Sequence, residues 1–290
     1  MTKLVLSPNL SSISMFSIVH AGAIISLFQS SNWQAVAFAM CLYIAMSGLG
    51  WSVGIHRGLI HGSFKTYRWL ENLLALLGAL SGLGGPISSS RTHFVREYCQ
   101  NNFGIEGLPN NKSFFSNYFP LPIFFNYRLL PSPSDPTTAE LERRWFFRML
   151  EYRWGLNALF AAFLFIAGGL DFVVWGLCVR TAVTLNIFAC FDYFCHSPQF
   201  GSQRFLLKNV PSSGRNHWLM SFLTWGEGWH NNHHAMPSSP RMGMAWYEID
   251  LGFEMIKLLR SIGLVWDLVD PREAIKSNAH LAAATTHSIK

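Results

Sequence analysis

The fold is decided by the stretch AVAFAMCLYIAMSGLGWSVGI, residues 35–55, which runs directly into HRGLIH, residues 56–61. The first part contains no charged residue, and about 20 mostly apolar residues are what a helix needs to cross the hydrocarbon core of a bilayer. The second part contains His56 and His61. We therefore predict a membrane-spanning helix that ends in two histidines.

Three further segments have a similar apolar composition, at residues 10–30, 154–170 and 172–195. Of the 290 residues, 50% are hydrophobic and 13% are charged, against about 25% charged in ordinary globular domains. We predict an all-α integral membrane protein of one domain with four transmembrane helices, and not a large soluble enzyme. Residues 73–83 are apolar but too few to cross, so they either lie in the interface or pack as a buried helix.

Basic residues set the predicted orientation. They follow the second and fourth spans and precede the third, whereas the turns at residues 29–32 and 168–171 contain no Lys or Arg. Cytoplasmic loops carry an excess of Lys and Arg. Both termini, a helical cap formed by residues 56–153 and 196–270, and a polar tail at 271–290 are therefore predicted to be cytoplasmic. The net charge of +6 is not gathered into a basic stripe, so the expected partner is the lipid bilayer and not nucleic acid.

Seven of the 11 histidines are predicted to lie on this cytoplasmic side: His56, His61, His93, His196, His230, His233 and His234. Imidazole binds Zn, Fe, Cu and Ni, so the residues predict a metal site without naming the metal. The remaining four are expected to have other roles. His20 lies in the first span, His280 and His287 lie in the polar tail, and His217 is structural or supports a ligand.

The spacing of the histidines constrains which of them share an ion. On an α-helix His230 shares a face with His233 and His234, which diverge from each other by about 100° and suit two different metals. His56 and His61 would stand about 140° apart on an unbroken α-helix. They are therefore predicted either to bracket two ions or to lie where the helix ends.

These motifs resemble a known family, the membrane acyl desaturases of the stearoyl (delta-9) type. GIHRGLIHGSFK at residues 54–65 is similar to their HRxxxH box, and GEGWHNNHH at 226–234 is identical to their last box. DYFCHSPQFG at 192–201 is similar to their NSxxHxxG element, whose histidine is an additional metal ligand. The resemblance covers about residues 50–267.

The resemblance implies a four-span, mushroom-shaped helical protein whose cytoplasmic cap holds two iron ions. It implies that O2 is a co-substrate and that a CoA-, lipid- or carrier-linked acyl chain loses two hydrogens. A metal is needed because no protein side chain abstracts hydrogen from a plain methylene. Electrons would come in trans from a ferredoxin or a small haem protein with its reductase. No catalytic residue is expected beyond the metal ligands.

The middle box departs from the family pattern, HRxHHxxxD after Gly-Pro-Ile. This chain has GPI at 85–87 and then HFVREYCQN at 93–101, so Arg96 and Glu97 stand at two expected histidines and Asn101 at the acid. Asp192 replaces the asparagine of the NSxxHxxG element. Carboxylates also bind iron, so Glu97 and Asp192 are predicted as further ligands, Asp192 directly or through water. The alternative for Glu97 is an ion pair with Arg96 or another arginine.

Three polar residues are predicted to support the ligands without binding metal: Asn216, Glu227 and Arg180. Arg180 lies inside the fourth span, where a charge faces the bundle interior or a watery cavity, unless it snorkels from near a helix end.

The leading functional prediction is O2-dependent desaturation of a fatty-acyl chain. The altered middle box keeps a second prediction open, in which the same metals perform hydroxylation, halogenation or another oxidation on a specialised or carrier-bound acyl substrate. A third is a metal-poor membrane scaffold. The segment at residues 104–131 is expected to form part of a substrate entrance.

Overall fold

The computed structural model describes residues 3–28, 32–103, 125–130, 134–206 and 214–273. Within these ranges the chain is mostly helical, in the order β1 (Lys3–Pro8), α1 (Leu10–Ser26), α2 (Trp33–Tyr43), π1 (Ile44–Ile60), β2 (Lys65–Thr66), α3 (Arg68–Ala79), α4 (Pro86–Phe103), β3 (Phe125–Leu130), α5 (Pro136–Arg143), α6 (Trp145–Leu150), α7 (Arg153–Val173), π2 (Val174–Val179), α8 (Arg180–His196), α9 (Trp218–Leu223), α10 (His230–Ala235), α11 (Leu251–Ser261) and β4 (Val265–Trp266). The two π-helical segments, π1 and π2, continue the α-helices before them.

Two helices in the described part of the chain are long and apolar enough to cross a membrane, Trp33–Ile60 and Arg153–His196, and the shorter Leu10–Ser26 is also apolar. The second long helix is interrupted at Gly168 and Gly169, whose backbones are not helical. Gly169 has a φ of 71° and a ψ of −159°, a region essentially restricted to glycine. The interruption lies at the end of the predicted third span, just before the fourth. The number of crossings stays a prediction.

The two turns predicted on the far side of the membrane are joined by a hydrogen bond. Asn32 caps the N-terminus of α2, where its Oδ1 accepts from the amides of Gln34 and Ala35. Its Nδ2 donates to Asp171 Oδ2 at 3.0 Å, just after the glycine interruption. One side chain thus satisfies the helix end and the second turn together.

Of residues 73–83, the first seven form the second half of α3, which packs as a buried helix against π1. Leu74, Ala75, Gly78 and Ala79 are buried there. A Cβ added at Gly50 would lie 2.3 Å from the backbone nitrogen of Gly78, so the glycine lets the two backbones approach closely.

We expect Gly50→Ala to lower the free energy of unfolding by about 2 kcal/mol. The overlap with the α3 backbone costs about 3 kcal/mol, and alanine regains about 1 kcal/mol over glycine inside a helix. Thermal unfolding of the detergent-solubilised protein measures the change. Gly176→Ala is the matched control, because a Cβ there meets only methyl groups of Leu42 and Leu164 at 3.2–3.3 Å. Equal melting temperatures for Gly50→Ala and the wild type would contradict the close packing.

Two short antiparallel ribbons correct the prediction that the protein is entirely α-helical. β1 pairs with β3, from Lys3 opposite Leu130 to Pro8 opposite Phe125, and β2 pairs with β4. The β1–β3 ribbon packs its apolar side chains against α4. Because its strands come from distant parts of the chain, no local periodicity in the sequence predicts the pairing.

A buried core cluster fixes α4 beside the long helices. It joins residues of α3, α4, α5 and α6: Ala75, Ala79, Ile87, Leu141, Phe147 and Leu150. Phe147 and Leu150 are completely buried. The cluster therefore sets the position of α4, which carries His93.

Candidate metal centre

The seven histidines predicted from the sequence lie together in two groups. The first, from the end of π1, α4 and α10, contains His56, His61, His93 and His233, and the second, from the end of α8 and α10, contains His196, His230 and His234. In each group the possible ligand nitrogens all lie within 4.8 Å of one another. Each group therefore offers a cation several converging nitrogens.

The π-helix explains how His56 and His61 reach the same group. The amide of His61 donates to the carbonyl of His56 at 3.1 Å, so the five-residue spacing is one hydrogen-bonded turn of π-helix. Their Nε2 atoms lie 3.2 Å apart. Of the two predicted arrangements, the structure has the second: the helix ends at Ile60, His61 caps it, and both histidines lie in the first group.

The short helix α10 contributes to both groups. His233 lies in the first group, and His230 and His234 lie in the second. His230 Nε2 is 3.0 Å from His196 Nε2 and 2.9 Å from His234 Nε2. A neutral imidazole has one N–H, so three facing nitrogens cannot all be satisfied by one another. A cation that accepts their lone pairs suits this donor set.

Four histidines of the two groups, His93, His230, His233 and His234, are held in the neutral form. Burial lowers the pKa of His93, His230 and His233 well below its ordinary value, and neighbouring positive charge lowers it further. The same two causes lower the pKa of His234 to about 3. Neutral imidazole is the form that binds metal, so the groups have the correct protonation state at neutral pH.

Glu227 lies beside the first group and contacts His56. Its Oε2 lies 2.6 Å from His56 Nδ1, and its Oε1 accepts a hydrogen bond from Ser52 Oγ. Burial opposes ionisation of Glu227, but His56, Arg57 and Ser52 outweigh burial and hold its pKa below the ordinary value. An ionised carboxylate behind His56 Nδ1 fixes the tautomer whose Nε2 lone pair faces the group.

Arg57 is a structural member of the site that the sequence did not reveal. Its side chain is fully buried, 3.0 Å from Asp250 Oδ1 and 3.6 Å from Glu227 Oε1. It also donates to the carbonyls of Trp225 and Pro240. Arg57 therefore ties the histidine-bearing end of π1 to the segments that flank α10. Its position in the sequence between His56 and His61, two predicted ligands, could have indicated that it belongs to the site.

Asn216 holds the start of α10. Its Oδ1 accepts hydrogen bonds from the amides of Asn231 and Asn232, at 2.9 and 3.2 Å, and its Nδ2 donates to Asn232 Oδ1. Asn232 in turn donates to Glu248 Oε2 at 3.0 Å. The asparagines between the histidines of the last box thus fix the orientation of the helix.

The two predicted carboxylate ligands lie beside the histidines and outside both groups. Glu97 Oε2 is 3.8 Å from His93 Nδ1 and its side chain is 43% exposed. Arg96 donates to Asp192 Oδ1. The alternative in which Glu97 pairs with Arg96 or another arginine stays a prediction. Asn101 is helical, but its side chain lies outside the described part.

Arg180 does not contact the histidines. Its guanidinium is buried and donates to the carbonyls of Gly176, Leu80 and Ser81 at 2.9–3.1 Å. The side chain therefore faces the interior and holds the turn after α3, and the snorkelling alternative is wrong.

Two further histidines lie away from the groups. His217 caps α9, where its Nδ1 accepts from the amide of Met220, so it has the structural role. His20 contacts Asn186 at 2.8 Å within the helices. His280 and His287 lie outside the described residues.

Both histidine groups line one cavity of about 400 Å³. Apolar and aromatic side chains form much of its wall, among them Trp51, Leu185, Phe188 and Phe191. Of the segment predicted as an entrance, Asn126 and Arg128 line the cavity, and residues 104–124 lie outside the described ranges. Concave, largely apolar sites of this size accept small ligands and acyl chains.

Membrane-length helices that carry a buried cluster of histidines define a class of membrane-associated proteins able to hold metal ions. Comparison with known proteins gives the family: the fatty acid desaturase family model matches residues 31–259, and the chain belongs to that family. It is thus an oxidoreductase of the acyl desaturase type.

Several curated relatives match most of the chain. It is 34% identical to the palmitoyl-monogalactosyldiacylglycerol delta-7 desaturase of Arabidopsis thaliana, over 89% of this chain and 68% of the relative. It is 33% identical to the delta-9 acyl-lipid desaturase 2 of the same plant, over 88% and 81%. It is 30% identical to the sn-1 stearoyl-lipid 9-desaturase of a Synechocystis strain, over 94% and 84%.

Proposed function

We propose that the protein introduces a double bond into a lipid-linked fatty-acyl chain, with two iron ions held by the two histidine groups and O2 as co-substrate. The single observation that carries the proposal is the convergence of seven histidines, four and three, on one apolar cavity. The names of the relatives favour an acyl-lipid substrate.

In this proposal the protein holds the iron ions, orients their histidine ligands and shields the acyl chain from water. Iron bound there would supply the oxidising power that no side chain has towards a methylene. His56 of the first group would be kept in its ligand tautomer by Glu227. Trp51 and Phe188, which pack edge to face at 4.8 Å beside the first group, would confine the acyl chain and exclude water.

The proposed topology has four membrane spans with both termini and the metal centre on the cytoplasmic side. It is supported by the interruption at Gly168 and Gly169, by the far-side contact between Asn32 and Asp171, and by the Lys and Arg bias of the loops. Electrons would be supplied in trans by a ferredoxin or a small haem protein with its reductase, from the cytoplasmic side.

Mass spectrometry of lipids from cells that express the chain tests the activity. We expect acyl chains lighter by two hydrogens, with no added oxygen or halogen, and a higher yield when a reductase and electron donor are co-expressed. His230→Ala is the matched control for host desaturation, because it removes a nitrogen central to the second group. Products that carry a hydroxyl or a halogen would replace desaturation by one of the other oxidations.

A further inference from the structure

The two histidine groups are unequal, and the second has an ion pair beside it. The first group has four histidines, and the second has three among the described residues. Arg96 Nη2 donates to Asp192 Oδ1, and both side chains are largely buried, 29% and 17% exposed. Arg96 stands where the resembling family has a histidine, and Asp192 where it has an asparagine.

Asp192 lies behind His196 and not in front of it. His196 Nδ1 is 2.8 Å from the backbone carbonyl of Asp192 and 3.4 Å from its carboxylate. The opposite nitrogen, His196 Nε2, faces His230 at 3.0 Å. A hydrogen bond from Nδ1–H to a carbonyl and a nearby carboxylate fixes the tautomer and makes the other nitrogen a better ligand.

We propose that Arg96 and Asp192 form a charge-balanced positioning pair for the second metal site, with Asp192 acting through His196 and never as a direct ligand. This inference rests on the proposed two-iron function. The carboxylate of Asp192 makes His196 a better metal ligand, and the guanidinium of Arg96 compensates the negative charge of that carboxylate. Three neutral histidine ligands remain in place. Without the carboxylate of Asp192, the net positive charge near the second metal site rises by one, which weakens the binding of a cation.

Iron retention by the full-length protein tests the pair. Protein purified in detergent with its iron is dialysed against graded concentrations of a chelator, and iron per chain is measured by elemental analysis. We expect two steps of loss, with the three-histidine group losing its ion first. Asp192→Asn should move that first step to an about 10–100-fold lower chelator concentration, the usual effect of removing such a partner, and leave the second step unchanged.

The double variant Arg96→Gln/Asp192→Asn separates the alternatives. If charge balance matters, it recovers part of the retention lost in Asp192→Asn, because the net charge near the site is restored although the carboxylate behind His196 is still absent. If Asp192 binds iron directly, the double variant stays as weak as Asp192→Asn, and the inference fails. The inference also fails if Asp192→Asn matches the wild type. The unchanged second step shows in each variant that the chain is folded.

Two controls isolate the inference from the proposed function. Glu142→Gln breaks the exposed ion pair of Arg91, on the same helix as Arg96, and should leave both steps unchanged. A shift as large as that of Asp192→Asn would show that any broken pair on α4 weakens retention, and would overturn the specific role. Wild-type protein that holds no iron would overturn the proposed function as well.

Discussion

His233→Ala is expected to reduce acyl-chain desaturation by more than about 100-fold and to lower the iron content by one ion per chain. His233 is one of the four histidines of the first group. Mutation of residues that only hydrogen-bond to metal ligands already lowers metal affinity or activity by about 10–100-fold. Product analysis by mass spectrometry and elemental analysis of the same preparation measure the two effects.

His217→Asn is the matched control for this loss. His217 lies outside both groups and caps α9 with its side chain, and asparagine is an equally good cap. Iron content and product yield should therefore match the wild type. A His233→Ala protein with full iron and full activity would remove His233 from the metal centre.

Arg57→Met is expected to destabilise the folded protein by about 3–5 kcal/mol. The side chain is fully buried between Asp250 and Glu227, and removing one partner of a buried ion pair leaves an uncompensated charge. Two carboxylates would lose their cation here. Denaturation of the detergent-solubilised protein, followed by circular dichroism, measures the loss.

Lys65→Met provides the comparison for an ion pair at the surface. Lys65 and Asp267 lie 2.9 Å apart with side chains 70% and 61% exposed, and such pairs contribute at most about 1 kcal/mol. Adding Asp250→Asn to Arg57→Met should recover part of the loss. A loss for Arg57→Met no larger than that for Lys65→Met would mean that the buried pairs do not stabilise the fold.

The sequence predicted the apolar helices from local composition. It predicted that seven histidines converge because they stand beside the predicted ends of those helices. It left two arrangements open for His56 and His61 because an α-helical period was assumed, and π-helical bonding has no simple signature in residues 44–60. The β1–β3 ribbon was missed for a related reason: its register depends on a partner strand far along the chain.

Pairing of charged residues was the other part that the sequence could not fix. Arg57 served only as an indicator of orientation, although the structure buries it against Asp250. Asp192 and Glu97 can both bind iron by their chemistry, and the pairing of Arg96 with Asp192 is visible only in three dimensions. Each choice depends on contacts between residues that are distant in sequence, so residue type alone leaves it open.

The adjacent residues His233 and His234 belong to different histidine groups. Their α-carbons are joined by one peptide unit and lie about 3.8 Å apart. The separation of the two proposed ions is therefore constrained by covalent geometry as well as by helix packing. Remodelling the cavity wall to accept another chain length can change which carbon approaches the ions while leaving the distance between them nearly constant. The histidine groups and the part of the cavity wall that selects chain length can thus evolve separately.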